Sequence, residues 1–223
     1  GKLLNCGQTC VAPDYLLIDG RVKDQFLSHV KKWMTAMYEQ DPLDNQGYVR
    51  MINRKHYDRV MGLIDPAKVV YGGRGDPDAL KIQPTILDGV SPEDPVMQEE
   101  IFGPLLPVLT YDTLDRAVEF INSRPHPLAL YLFSEDRAAQ ERFLRQVPFG
   151  GGCVNATIIH LATSRMGFGG VGDSGMGSYH GKLSFDTFSH QKSVVKKSTW
   201  MDMPVRYAPY TALQEKLLRL FLR

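Results

Sequence analysis

The sequence predicts an α/β protein, a mostly parallel open sheet with flanking helices, followed by a C-terminal arm. Two observations carry this expectation. Between residues 105 and 159, strand-like and helix-like stretches alternate in the order strand, helix, strand, helix, strand, which is the pattern of βαβ units. Near residue 20 the apolar spacing switches from a strand-like run to the period of an amphipathic helix. With 223 residues, 43% hydrophobic and 23% charged, the chain can bury a large α/β core, and it excludes a disordered chain, a collagen and a coiled-coil rod.

Taken in order, Lys2–Asn5 reads as a helix end leading into a tight turn at Gly7-Gln8-Thr9. Val11–Ile18 is apolar except for Asp14 and stops at Asp19-Gly20, so it reads as a short strand entering a turn. Over residues 21–40, Val22, Phe26, Val30, Trp33, Met34 and Met37 fall on one helical stripe. A second helix fits Arg50–Ile64, stopping before Pro66. Lys68–Tyr71 and Ile82–Leu87 are β-like, although Pro84 predicts an edge strand or no strand for the second. Leu105–Tyr111 reads as a strand, and Asp112 as the cap of a helix carrying Leu114, Val118 and Ile121. The unbroken apolar run Leu128–Phe133 predicts a strand buried on both faces. Ser134 is placed as the cap of a helix reaching about Val147, with a further strand over Cys153–Ile159. Residues 1–183 form the main domain. In 184–223, Phe185–Lys196 is strand-like, Pro204–Pro209 extended and Leu213–Leu222 helical, as in an arm that packs on something else.

Charge and cysteine usage narrow the function classes. Lys and Arg total 26 against 25 for Asp and Glu, so no basic excess points to nucleic acid. Three cysteines, Cys6, Cys10 and Cys153, are too few and too far apart for a disulfide framework, which predicts reduced thiols and a cytoplasmic protein. They do not make a zinc motif, and no metal is expected. No apolar run approaches the roughly 20 residues that cross a bilayer, so no transmembrane segment is expected.

Three stretches carry chemistry. Cys10 follows small and polar neighbours that suit a tight turn, where a thiol gains nucleophilicity from nearby N–H dipoles or a cation. A lone cysteine is most often buried and inert. Glu99-Glu100-Ile101-Phe102-Gly103-Pro104 offers two carboxylates and an aromatic ahead of a turn. A solvated helix end is the plainer reading. The glycine-rich stretch 167–177 holds the string Gly167-x-Gly169-x-x-Gly172, but it lacks the strand before and helix after that a dinucleotide fingerprint needs. It also holds Gly172-Asp173-Ser174-Gly175, a serine-nucleophile string without the protease context, so a Ser174 hydrolase is a remote alternative. Its glycines allow close passage of backbone. His29 lies among polar residues and reads as surface.

In combination these motifs resemble one family. Gly-Gln-Thr-Cys-Val-Ala-Pro-Asp-Tyr (7–15), Met-Gln-Glu-Glu-Ile-Phe-Gly-Pro (97–104), Phe-Gly-Gly-Val-Gly-Asp-Ser-Gly-Met-Gly-Ser-Tyr-His-Gly-Lys (168–182) and Phe-Asp-Thr-Phe-Ser-His (185–190) occur in this order. The chain resembles the C-terminal half of an aldehyde dehydrogenase of the class 3 branch. The resemblance implies that Cys10 is the nucleophile forming a thiohemiacetal and then a thioester, with its own N–H helping to bind the oxyanion. It implies that Glu100 holds the nicotinamide ribose of NAD or NADP and that Phe102 packs beside the nicotinamide ring. Phe168 and Asn155 match positions at the mouth of the site and behind it. The segment from about Phe185 matches an arm that pairs two subunits into a homodimer, and the substrate is an aliphatic or aromatic aldehyde.

Gly167, Asp173 and Ala156 depart from the residues usual in that branch. The family's general-base glutamate sits in a Leu-Glu-Leu-Gly-Gly-Lys string that these 223 residues do not contain. The chain, which opens at Gly1 in mid-motif, therefore reads as a catalytic-domain piece expected to be inactive alone. A non-catalytic assembly module of the same descent is the alternative.

Overall fold

Four strands make the central sheet, in the order β1 (Leu16–Asp19), β6 (Leu105–Tyr111), β5 (Thr85–Leu87), β2 (Val69–Tyr71). In this computed structural model, which describes residues 1–38 and 41–221, β1 and β5 both run parallel to β6, and β2 closes the sheet antiparallel. Leu16 stands opposite Val108 and Thr85 opposite Leu105. A short hairpin, β3 (Gly75–Asp76) with β4 (Lys81–Ile82), and a parallel pair, β7 (Ala129–Leu132) with β8 (Gly151–Val154), complete the strands. The mostly parallel open sheet is the one the sequence predicts.

Helices cover both faces of the central sheet, because successive side chains of each strand point to opposite sides. On one face α1 (Lys23–Tyr38) packs Leu27 and Met34 against Ile18, Ile86 and Val108. On the other, α2 (Arg54–Gly62) packs Tyr57 and Val60 with Leu87, Leu105 and Leu109. α3 (Leu114–Asn122) and α4 (Arg137–Gln146) share a third core with Leu130 of β7. The expected α1 stripe is rotated: Leu27 and Met34 are its buried pair, while Val22, Trp33 and Met37 are exposed. The helix assigned to 21–40 is seen to Tyr38, since residues 39 and 40 lie outside the described ones.

Other departures have local causes. Residues 11–15 turn before β1 begins, so the strand is shorter than Val11–Ile18. Pro84 falls in the break between β4 and β5. Thr85–Leu87, which follows it, is an inner strand and fully buried, not an edge. Thr113, not Asp112, caps α3 through an acceptor oxygen to the Arg116 N–H, because Thr113 is the last residue with extended backbone. Asp136, not Ser134, caps α4 by accepting from the Ala138 and Ala139 N–H groups. β7 is not buried on both faces, for only Leu130 is buried and Phe133 is 64% exposed. β8 starts at Gly151 and ends where Asn155 turns to φ +56°, ahead of the expected Cys153–Ile159.

The chain divides into two compact units, Gly1–Phe188 and Ser189–Arg223. The strand-like segment 185–196 forms no strand: α5 (Gly181–Thr187) takes its first residues, and 189–198 carry no regular structure. A strand exists only when its N–H and C=O groups find a neighbouring strand, and none pairs with this segment among the described residues. Pro204–Arg206 is a single 3-10 turn in place of the expected extended stretch. α6 (Ala212–Phe221) is the expected amphipathic helix, of which residue 222 lies outside the described ones.

Candidate active site

The loop that carries Cys10 starts in a left-handed turn. Asn5, Cys6 and Gly7 have φ of +51°, +58° and +74°. Such a backbone costs about 1–2 kcal/mol for each non-glycine residue and persists only when its surroundings fix it. Cys6 is fully buried, and its thiol donates to the Tyr48 hydroxyl at 3.4 Å, which in turn donates to the Ile82 carbonyl at 2.8 Å. Burial pushes the Cys6 thiol up, so it is a structural, protonated thiol. Gln8 then ties the loop down. Its Nε2 donates to the Arg50 carbonyl at 3.1 Å, and its Oε1 accepts from the Ile52 N–H at 2.9 Å.

These fastenings leave Cys10 standing free in the turn closed by the Ala12 N–H to Thr9 carbonyl bond at 2.9 Å. It is the exposed one of the three cysteines. Among the described residues neither its thiol nor its N–H has a hydrogen-bond partner. A reactant carbonyl carbon at the sulfur would find an unused N–H beside it.

The Glu99–Pro104 segment is brought against this loop at two points. A methyl group on Gly7 would sit 2.6 Å from the Gly103 carbonyl carbon, so only glycine permits the approach. The Asp14 carboxylate accepts the Ile101 N–H at 3.0 Å. From the other side Arg59 of α2 donates to the Glu100 and Ile101 carbonyls at 3.2 and 2.6 Å and pairs with Glu99 at 3.3 Å. Phe102 follows at φ +46° and is 38% exposed. The Glu100 side chain is exposed and, among the described residues, forms no ion pair. Partial desolvation and the neighbouring Asp14 charge raise its carboxyl above the usual range. Lys2, only 8% exposed, lies within the field of Asp14, Cys6 and Glu100, and burial pulls its ammonium down to about 8.

A second wall reaches the same loop. The Tyr131 hydroxyl of β7 donates to the Val11 carbonyl at 2.7 Å. Its ring is 5.9 Å from that of His160, which lies 6.4 Å from Phe168. Phe168 pairs its backbone with Tyr179 and stacks on His180 at 6.1 Å. Phe168 is thus linked to the cysteine loop through two aromatic rings. Asn155 fastens the end of β8: its Oδ1 accepts the Ser134 N–H at 2.9 Å and its Nδ2 donates to the Ser134 carbonyl at 3.0 Å.

The glycine-rich stretch folds onto itself. Added Cβ atoms at Gly169 and Gly170 would strike the carbonyls of Gly177 and Ser174, and one at Gly150 would strike Gly169. Its glycines serve backbone packing, not phosphate binding. The Ser174 hydroxyl accepts from and donates to Val171 backbone at 2.9 and 3.0 Å, which occupies it in a turn and sets aside the serine-nucleophile reading.

Sequence reasoning missed Lys2, Asp14, Arg59, Tyr131 and His160. Asp14 left a signal, as the single carboxylate in an apolar run. Lys2 and Arg59 left none, since nothing in their neighbours separates them from surface cations.

An exposed thiol stands on an anchored turn, with a carboxylate-aromatic motif clamped beside it and an α/β sheet behind it. Residues 1–194 match the model of the aldehyde dehydrogenase family, and the chain belongs to that family, with class 3 members among its relatives. It is 50% identical over 212 residues to the 4,4'-diaponeurosporen-aldehyde dehydrogenase of Staphylococcus aureus, covering 94% of this chain and 46% of that one. It is 47% identical over 193 residues to a dimeric NADP-preferring aldehyde dehydrogenase of Bos taurus, covering 86% and 81%. The substrate-bound structure of Staphylococcus aureus AldH superposes with a TM-score of 0.93 at 47% identity, over all of this chain and 49% of that one. The chain spans about half the length of most of the relatives it matches.

Proposed function

We propose that the full protein to which these residues belong oxidises an aldehyde to a carboxylic acid with NAD or NADP, and that Cys10 is its nucleophile. The observation that carries this is the exposed Cys10 thiol on a loop locked, through Gly7 and Asp14, to the segment bearing Glu100 and Phe102. The donor set fits a dinucleotide. Glu100 presents an unpaired carboxylate suited to vicinal ribose hydroxyls, and Phe102 presents an aromatic face held by its backbone. When bound, the nicotinamide supplies the hydride acceptor.

The chain's own residues do the rest of what is proposed here. The Cys10 thiolate adds to the aldehyde carbon to give a thiohemiacetal, and the Cys10 N–H donates to the new oxyanion. A fixed donor of this kind contributes about 3 kcal/mol. Oxidation leaves a thioester on Cys10, which water then hydrolyses. The resemblance assigns the base for that step to the glutamate of a Leu-Glu-Leu-Gly-Gly-Lys string. Tyr131, His160, Phe168 and Tyr179 give the site one aromatic side, which favours an apolar aliphatic or aromatic aldehyde.

We also propose a homodimer joined through 184–223. Within 189–223, Val195 and Trp200 are 92% and 81% exposed, and Phe188 just before it is 90% exposed, apolar side chains that a partner would cover. Among the described residues no helix is long and apolar enough to cross a membrane. Three free cysteines support the assignment to the cytoplasm.

Aldehyde-dependent NAD(P)H production by the full protein tests the reading. Cys10→Ser should abolish it without loss of dinucleotide binding, and the 223 residues alone should give none. Turnover by Cys10→Ser near the unmutated rate refutes Cys10 as nucleophile.

A further inference from the structure

We propose that Asp14 and Arg59 form a two-sided clamp on the Glu100–Ile101 peptide, and that this clamp, as a pair of positioning residues, sets where Glu100 and Phe102 stand relative to Cys10. The inference rests on the dinucleotide-dependent reading above and extends it to two residues that touch neither reactant.

The geometry is specific. Asp14 lies four residues after Cys10, in the same loop, and its Oδ1 accepts the N–H of Ile101, the residue next to Glu100. Arg59 holds the carbonyls of Glu100 and Ile101, while its other contact is with Glu99. The segment is therefore gripped through an N–H by an anion on the nucleophile's loop and through two carbonyls by a cation on α2. Both grips are charge-assisted, the stronger class of hydrogen bond. They end at Phe102, a bulky residue held at φ +46°, where backbone strain survives only if neighbours over-determine it.

The charges around the clamp are arranged to keep it. Lys2 is almost wholly buried and faces Asp14, and Arg59 and Arg124 lie near enough to favour the ionised carboxylate. Burial still leaves the Asp14 carboxyl raised, and these cations, with the Ile101 N–H, oppose that desolvation in part. A surface aspartate with a structural cap would need none of them. The Glu100 carboxylate, by contrast, is left unpaired among the described residues, so the clamp holds its backbone and leaves its side chain available.

Asp14→Ala and Asp14→Asn in the full-length enzyme separate positioning from general stability. Asparagine keeps an acceptor oxygen for the Ile101 N–H, and alanine keeps none. Losing a hydrogen bond to a charged group corresponds to about tenfold in an equilibrium constant or more. Asp14→Ala should therefore raise the dissociation constant for NAD(P)+, read by fluorescence titration without aldehyde, about tenfold. It should raise KM for the dinucleotide and leave KM for aldehyde unchanged. Alkylation of Cys10 by iodoacetamide in the absence of dinucleotide should proceed at the unmutated rate. Asp14→Asn should recover most of the affinity. Should Asp14→Ala fail to fold, Arg59→Met opens the clamp from the other side and should raise the same dissociation constant.

Unchanged dinucleotide affinity in Asp14→Ala, or in Arg59→Met where the alanine variant does not fold, overturns the clamp. So does an Asp14→Asn variant as weak as the alanine one. An unmutated enzyme that binds dinucleotide and oxidises aldehyde, beside variants that do so equally well, removes the clamp alone. An unmutated enzyme that binds no dinucleotide removes the functional reading and the clamp with it.

Discussion

Replacing Gly7 by alanine should damage both stability and catalysis, and the two effects can be separated. Gly7 has φ +74°, so any side chain there meets the left-handed penalty of about 1–2 kcal/mol. The new methyl would also lie 2.6 Å from the Gly103 carbonyl carbon, 0.8 Å inside the 3.4 Å at which ordinary contact begins. Gly103 cannot recede, because its own Cα face is backed by Val60 of α2, which a Cβ there would meet at 2.9 Å. Overpacking of this kind costs about 1–3 kcal/mol, giving a total of roughly 2–5 kcal/mol. The strain is relieved only by moving the cysteine loop away from Glu99–Pro104, and misplacement of a reacting group by about 1 Å costs on the order of 10²-fold in rate. Gly89→Ala is the control: its φ is +68° but nothing lies within 4 Å of the added carbon, so it meets the backbone penalty alone. In the full enzyme, thermal melts and kcat/KM for aldehyde should show Gly89→Ala mildly destabilised and fully active, and Gly7→Ala more destabilised and about 10²-fold slower. Equal melting temperatures and equal kcat/KM for the two variants refute the argument that the Gly7–Gly103 contact sets the site.

Two further outcomes are expected. Iodoacetamide mapping by mass spectrometry should label Cys10 first, then the half-buried Cys153 beside His160 at 3.5 Å, and Cys6 last; equal rates at Cys10 and Cys153 count against an activated thiol. Lys2 should leave a mark on stability at alkaline pH. Burial draws its ammonium from 10.5 down to about 8, so between those values the unfolded chain holds more protons than the folded one, and stability rises with pH. Below about pH 8 both states are protonated and the burial penalty is fully present. The whole rise is on the order of 3 kcal/mol. The raised thiol of Cys6 contributes the opposite slope in both proteins, so the difference between the unmutated enzyme and Lys2→Met isolates the lysine. From pH 7.5 to 10 the denaturant midpoint of the unmutated enzyme should rise relative to that of Lys2→Met; an equal change in the two proteins refutes it.

The parts of the fold that were legible are those fixed by local pattern. Leu105–Tyr111 is legible as a strand because Leu105 and Leu109 face one core and Val108 the other, and α3 shows its buried stripe directly. Adjacent polar residues of similar capping ability made the caps ambiguous by one or two positions, since Asp112 and Thr113 differ only in which is the last extended residue. The strand expected in 185–196 failed for a different reason. Strand identity is a property of a pair, and a single chain's sequence does not contain its partner. Likewise the apolar run at 128–133 fixes β7 but not how many layers cover it, which is decided by elements far along the chain.

At the proposed site, the candidate residues stand in motifs that the sequence displays, and the contacts joining them do not. Cys10, Glu100 and Phe102 stand in motifs, yet the approach that brings them together is made by residues with least to show. Gly103 has no side chain because Val60 stands behind it, and Gly7 has none because Gly103 stands in front. Each glycine, read alone, is compatible with any turn. Only as a stacked pair on α2 do they carry information, and the information is a distance between two backbones. Asp14 then adds the one polar bond that such a bare contact lacks, so that its loop and the Glu99–Pro104 segment are registered to each other, not merely adjacent. That registry holds the Cys10 loop and the Glu100–Phe102 segment, about ninety residues apart in sequence, in one arrangement, and it locates the substitutions that would uncouple the proposed nucleophile from the proposed cofactor segment without touching either.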